Sequence, residues 1–333
     1  MIKAKEITNQ STWENFVLSS NQSNFLQSWH WGLFNQDLKH QITRMGFYQQ
    51  GKLVGVALLI KIKAKRGSYL ECPGGPIINW QDNSQVKEVL KLLKQFANQE
   101  KLSFIRIRPN ILVGSFKPSA YGLFKSPMHL HAETTWVLDL DSSEEELLSK
   151  MRKNTRHAIK QAEKLNIKIE VSKKLSDVDL LYDLQLETVK RKKFVPFTRQ
   201  FLSQQLKTFQ DADQIKLIKA SYKGQVLAIA TIHFFGPEAV YHYSGSSNQL
   251  RHIPVSYAIQ WSVIKKAKQM GYKRYNFWGY TDNPKHRFYG PSLFKKGFGG
   301  YRLDYLPAHD LPIKPTYWLI YFFETLRRKL RHL

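Results

Sequence analysis

Two stretches of this chain spell the same order of elements, and a repeat of that kind restricts the fold before any other property is weighed. The first passes from a turn at Tyr48-Gln-Gln-Gly51 into the apolar run Leu53–Leu59 and then to Cys72-Pro-Gly-Gly-Pro76. It continues with a helical pattern from about Ser84 to Gln99 and closes on the strand-like Leu102-Ser-Phe-Ile-Arg-Ile-Arg-Pro109. The second passes from Tyr222-Lys-Gly224 into Val226–Ile232, then Tyr243-Ser-Gly-Ser246, a helical pattern from about Pro254 to Met270, and Tyr272-Lys-Arg-Tyr-Asn-Phe-Trp-Gly279. Gly51 to Gly224 spans 173 positions, and Gly75 to Gly245 and Pro109 to Gly279 span 170 each. Apolar residues alternate or run unbroken in the strand-like pieces. In the helical pieces they recur three and four apart, at Val86, Val89, Leu90, Leu93 and Phe96, and again at Ile259, Val263, Ile264 and Ala267. The pattern predicts a duplicated α/β (α+β) unit, with domains over residues 1–145 and 146–313 and a last helix, opened by Pro315, over 314–333.

Charge separates the two halves. Residues 1–145 carry 17 basic and 12 acidic side chains, and the remainder carries 34 and 14. That asymmetry points to a polyanionic partner for the second half. A single cysteine, Cys72, excludes a disulfide scaffold and a cysteine-rich metal site. The opening MIKAKEITNQ lacks the apolar core of a signal peptide. The longest strongly apolar run, Tyr317–Phe323, falls far short of the ~20 residues of a spanning helix. A cytoplasmic protein is expected. The final helix, with Tyr317, Trp318, Tyr321, Phe322 and Leu326 beside Arg327, Arg328, Lys329 and Arg331, is expected either to touch the inner face of the plasma membrane or to dock on a domain.

Ser142 with Glu145 three residues on reads as a capping box. The helical pattern that follows runs to about Leu165 and sets Arg152, Arg156, Lys160, Lys164 and Lys168 four apart, with Lys153 beside them. Phosphates would relieve such a like-charge stripe; a solvated helix face is the alternative. A second basic patch holds Lys285, His286, Arg287, Lys295, Lys296 and Arg302 and contains Phe294-Lys-Lys-Gly-Phe-Gly-Gly300. Lys295 and Lys296 are expected on a strand, pointing to opposite faces. No phosphate-binding Walker loop, dinucleotide fingerprint or G-x-S-x-G elbow occurs. His129-Leu-His131 could present two imidazoles on one strand face, without an evident third metal ligand. Trp29, Trp31, Trp136 and Trp278 suit a core or a cleft wall.

Five pieces then fall in a familiar order: Phe25-Leu-Gln-Ser-Trp-His-Trp-Gly32, the basic run Arg152–Lys164, Tyr241-His-Tyr-Ser-Gly245, Tyr275-Asn-Phe-Trp-Gly279 and Phe294–Gly300. Together they resemble the Fem-type peptidoglycan-bridge aminoacyltransferases, in the compact FemX-like form without a coiled-coil arm. The resemblance implies two tandem acetyltransferase-like (GNAT-like) domains, mixed sheets flanked by helices, and a C-terminal segment that returns to the first domain. It implies an aminoacyl-tRNA donor, a muropeptide acceptor carried on UDP (UDP-MurNAc-peptide) or on lipid II, and a monomer. It places Phe294 and Lys295 at the reaction centre, Tyr243 near the acceptor's phosphates, and Tyr241 and Trp31 among the substrate-binding residues. The tRNA surface would comprise Arg152, Lys153, Arg156, Lys160, Lys296 and Arg302. Where family members often have an Arg-Pro pair for the acceptor phosphate, this chain reads Val195-Pro196-Phe197, with Arg199 as the candidate substitute. A lysine-rich segment is replaced by Leu33-Phe-Asn-Gln, and a strand aspartate by Asn276. An aminoacyl ester is already activated, so no cofactor, metal or protein nucleophile is expected; the work is alignment and oxyanion stabilisation, by Lys295. Two rivals remain. An acyl-CoA-dependent enzyme would want a glycine-rich loop before the helix, and neither Asn248–Pro254 nor Asn79–Ser84 has a glycine. A non-catalytic RNA-binding protein is the other.

Overall fold

The computed structural model describes residues 1–65, 67–192 and 196–330. The chain begins with β1 (Ile2–Glu6), α1 (Gln10–Ser19), α2 (Trp29–Asp37), β2 (Gln41–Gln49), β3 (Lys52–Ala64), β4 (Gly67–Gly74), α3 (Asn83–Gln99), β5 (Phe104–Pro109) and β6 (Phe124–Lys125). It continues with β7 (Thr134–Asp139), α4 (Glu144–Ser149), α5 (Lys153–Lys164), β8 (Lys168–Ser172), α6 (Ser176–Lys192), α7 (Arg199–Gln210), β9 (Ile215–Tyr222), β10 (Gln225–Phe235) and β11 (Glu238–Ser246). Then come α8 (Val255–Gln269), β12 (Arg274–Gly279), α9 (Tyr289–Lys296), β13 (Tyr301–Asp304), β14 (His309–Pro312) and α10 (Tyr317–Leu330).

These elements form two units, Met1–Glu133 with Asp304–Leu333, and Thr134–Leu303. In the first, the strand order is β1-β2-β3-β4-β5-β14-β6. β1 to β4 are antiparallel, and β4 pairs parallel with β5 across α3. Asp82 caps α3 by accepting from the Ser84 and Gln85 N–H groups. The helix buries Val86, Val89, Leu90, Leu93 and Ala97 against Phe47, Leu59, Leu70, Cys72 and Ile107. The second sheet, read from its other edge, runs β8-β9-β10-β11-β12-β7-β13. Here too three antiparallel pairings lead to one parallel pairing, β11 with β12 across α8. The repeat read from the sequence is therefore a repeat of topology.

The sixth place in each sheet is filled from outside its repeat. β7, which follows the first repeat, pairs with β12 of the second; β14, which follows the second repeat, pairs with β5 of the first. The chain thus enters the second unit at Thr134, ahead of the boundary expected after residue 145, and leaves it at Leu303 rather than 313. Behind β14, α10 lies in the first unit, where Tyr317 and Ile320 are buried with Phe104. Arg106 ties the region together, pairing with Asp310 at 2.8 Å and Glu324 at 2.7 Å.

The single helix expected from Ser142 to Leu165 is two. The cap is Ser143, one residue later, accepting from the Glu146 N–H at 3.2 Å. The helix breaks at Arg152, whose backbone is extended and whose N–H donates to Gly297 O at 2.9 Å. A tertiary hydrogen bond, rather than a glycine or proline, makes the break. Lys168 lies on β8, paired with Glu170 at 2.9 Å, so the helical stripe ends at Lys164. Val195 and Arg331 lie outside the described residues.

Candidate active site

The two parallel pairings differ in one respect. β4 and β5 stay in register from Leu70↔Ile105 to Gly74↔Pro109. β11 and β12 pair only from Glu238↔Arg274 to Val240↔Asn276, although β11 runs on to Ser246 and β12 to Gly279. Among the described residues the second sheet opens there, between Tyr241–Ser246 on one strand and Phe277–Gly279 on the other.

Asn276 supports the opening. Its Oδ1 accepts from the Trp278 N–H at 2.8 Å, and its Nδ2 donates to Glu238 at 3.0 Å. Trp278 takes φ +63°, and the register with β7 slips between Asn276 and Gly279. Such a backbone is costly for a bulky residue and is held by its surroundings. The indole meets the His242 ring edge-on at 5.3 Å.

Lys295 reaches the end of this strand. Its segment is the helix α9 rather than a strand, ended by Gly297, where a side chain would run into Thr155. Lys295 and Lys296 are therefore ~100° apart around a helix instead of on opposite faces. The Lys295 ammonium donates to Gly279 O. Burial pushes its pKa down to about 7. Among the described residues no carboxylate pairs with it. An ammonium has three donors; one is used on Gly279, and two are left for an incoming oxyanion. Beside it Phe294 packs edge-on against Tyr257 at 4.9 Å and Phe298 at 5.3 Å. Lys296 turns away, its ammonium 5.7 Å above the Trp136 ring.

The remaining expected residues divide. Tyr241 and Tyr243 lie on β11 in the stretch that has parted from β12 but stays paired with β10. Tyr241 donates to Ser244 Oγ at 2.6 Å, and the Tyr243 ring lies tilted against His242 at 3.9 Å and Phe197 at 4.6 Å. Burial raises both phenols above their ordinary range. Arg199 is held by α6, paired with Asp179 at 3.0 Å and Asp183 at 3.2 Å, so its charge is already engaged. Trp31 belongs to the first unit, buried among Phe25, Phe34 and His131. The His129 and His131 pair is not on a strand. His129 bonds Glu133 at 2.8 Å, while burial and the nearby Arg108 hold the His131 imidazole at about 3. Arg152, Lys153 and Lys160 are exposed at α5, whereas Arg156 turns back to the carbonyls of Ser149 and Met151 at the end of α4. Arg302 pairs with Asp282 at 2.8 Å.

A family profile now meets this geometry: the FemAB family matches over residues 8–126, 121–226 and 212–325. The chain belongs to the FemAB family. The aminoacyltransferase FemA of Staphylococcus aureus is 34% identical over 114 residues, which is 32% of this chain and 27% of FemA. The match thus spans about a quarter of that relative's length. Among solved structures, the crystal structure of FemX superposes with a TM-score of 0.85 at 18% identity, over 96% of this chain and 99% of that one. A tandem GNAT protein from the clavulanic acid biosynthesis pathway gives 0.58 at 8% identity, over 95% and 99%. The L-PGS structure from Bacillus licheniformis gives 0.58 at 14%, over 96% and 98%. The expected fold, two GNAT-like units with mixed sheets flanked by helices, is the fold observed. Within this FemAB chain the sequence did not mark Tyr257 or His242 as neighbours of the site. Tyr257 sits in the first turn of α8, with nothing in the helical pattern to single it out, and His242 lies between two tyrosines already singled out; the Y-H-Y spelling was the available signal.

Proposed function

We propose that this FemAB chain transfers an amino acid from an aminoacyl-tRNA to an amine of a peptidoglycan stem-peptide precursor, UDP- or lipid-linked, in the cytoplasm. The observation that carries the reading is the half-buried Lys295 ammonium, which has no carboxylate partner among the described residues, at the end of the strand that parts from β11. A buried charge of that kind is relieved when negative charge arrives, so it favours a transition state over a neutral ground state. The acceptor nitrogen attacks the ester carbonyl carbon and the carbonyl oxygen becomes an oxyanion, held by the two spare Lys295 N–H donors. The bond from that carbon to the terminal ribose oxygen then breaks. The ribose hydroxyl leaves with the proton given up by the nitrogen, and an amide remains. Phe294, with Tyr257 and Phe298, keeps water from competing for the ester. The exposed Arg152, Lys153 and Lys160 supply a face for tRNA phosphates.

The test is transfer itself. The purified chain is mixed with a charged tRNA pool and with both the UDP-linked and the lipid-linked acceptor, and products are identified by mass. An acceptor heavier by one aminoacyl residue supports the proposal. Acetyl-CoA consumed instead, or tRNA bound equally well whether charged or not with no product, assigns the chain to one of the two rivals.

A further inference from the structure

The C-terminal helix has two apolar faces, and the first unit covers only one of them. On the covered side Tyr317 and Ile320 are buried, the Tyr317 ring lies 5.3 Å from Phe104, and Glu324 meets Arg106 at 2.7 Å. On the opposite side Trp318, Leu319, Phe322, Leu326 and Leu330 are between 47% and 75% exposed. At ~100° per residue those five occupy a sector of roughly 120°. Phe124 of β6 extends the patch, its ring edge-on to Trp318 at 4.9 Å. A soluble surface rarely gathers so many large apolar side chains without a partner.

Charge selects that partner. Glu324 is the one acid of α10, and it is turned inward to Arg106. Lys329 is exposed within that sector at its C-terminal end, Arg327 is exposed about 60° beyond its edge, and Lys125 is exposed next to Phe124. The outer face is therefore apolar with a cationic margin, on a chain of net charge +25. A second copy would bring like charges together, and a nucleic acid would leave the apolar sector uncovered. No helix among the described residues is long and apolar enough to cross a membrane, so a lipid contact here is an interfacial one.

We propose that α10 docks this chain on the surface of an anionic lipid bilayer, with Trp318, Leu319, Phe322, Leu326 and Leu330 in the headgroup–acyl boundary and Arg327 and Lys329 on the phosphates. The proposal rests on α10 and not on the aminoacyl-transfer reading, so either can fail alone.

The full chain is sedimented with vesicles of phosphatidylcholine alone and of phosphatidylcholine mixed with phosphatidylglycerol. Binding to the anionic vesicles, weakened by salt, is expected, with little binding to the neutral ones. Replacing Arg327 and Lys329 together by Gln should lower the partition about 30-fold, from about 1 kcal/mol for each cation near an anionic surface. The double variant Leu319→Glu/Phe322→Glu should abolish binding and leave the unfolding temperature unchanged, because both side chains point to solvent. Equal sedimentation with both vesicle types overturns the proposal, as does a Leu319→Glu/Phe322→Glu protein that binds like the parent. A dimer in sedimentation equilibrium that this variant dissolves would assign the face to a second copy instead. Should that variant unfold, the Arg327/Lys329 pair decides alone.

Discussion

Replacing Lys295 by Met and, separately, by Arg distinguishes a catalytic ammonium from a merely buried one. At about 1.4 kcal/mol per pH unit, a lowering from 10.5 to about 7 corresponds to at most about 5 kcal/mol against the charged form. Screening of a half-buried side chain reduces that to a few kcal/mol. The folded pKa lies below the unfolded one. Between about pH 7 and 10.5 the unfolded chain therefore binds more protons, and stability rises with pH across that window. Lys295→Met should accordingly raise the unfolding temperature most below pH 7 and hardly at all by pH 10.5. Activity should move the other way: loss of one oxyanion donor typically costs about 10²–10³ in turnover, read in a single-turnover assay at saturating substrates. The parent rate should decline above pH 7 as the ammonium loses its proton. Lys295→Arg stays charged over the whole range, so its profile should lack that alkaline limb even if its absolute rate is lower. Turnover by Lys295→Met at the parent rate would refute the assignment. So would identical alkaline limbs in the parent and Lys295→Arg, or loss of activity in Lys296→Met rather than Lys295→Met.

The triple change Arg152→Glu/Lys153→Glu/Lys160→Glu should flatten the log–log salt dependence of tRNA affinity by about 3 units if each residue meets one phosphate. Arg156→Gln should instead lower the unfolding temperature with little change in that slope, because its guanidinium caps α4. Asn276→Ala removes both the acceptor that meets the Trp278 N–H and the donor to Glu238, and should cost about 1–3 kcal/mol in denaturant unfolding, with a larger proportional loss of turnover than of tRNA affinity. Glu14 of α1 is raised to about 7 by burial. The folded protein then binds the extra proton between about pH 4.5 and 7, and stability falls as pH rises through that window. Glu14→Gln should raise the unfolding temperature at pH 8 and leave it unchanged at pH 4.

The duplicated topology was legible because each repeat keeps its own periodicities, alternation in the strands and steps of three and four in α3 and α8. The strand exchange was not legible in the pattern of β7 or β14, which shows that a face is buried without showing in which sheet; the family resemblance alone anticipated that the C-terminal segment returns to the first unit. The α4–α5 break was hidden for a related reason: the bond from the Arg152 N–H to Gly297 O joins residues far apart in sequence. At the candidate site, composition marked only a basic, glycine-flanked segment and the family resemblance singled out Phe294 and Lys295 within it, but Gly290 and Pro291 early in α9 masked its helical pattern, and so the geometry of the two lysines was misjudged. Arg199 carried the right charge for a phosphate; only its two aspartate partners on α6, sixteen and twenty residues away, reveal that this charge is spoken for.

The exchange of β7 and β14 sets a timetable for synthesis. Arg106 on β5 and its partner Asp310 on β14 are 204 residues apart. At the ~5–20 residues per second of a ribosome, one flank of β5 waits roughly 10–40 s for the strand that belongs there. During that wait β7 has already emerged, and it too is built to lie antiparallel beside a strand of this kind. The nascent chain therefore faces a choice between the early neighbour and the correct one, and a stop anywhere before residue 309 leaves the first sheet without its sixth strand. Cutting the gene between the repeats would not yield two domains: a fragment carried through β7 would hold a strand that belongs to the second sheet and lack one that belongs to the first.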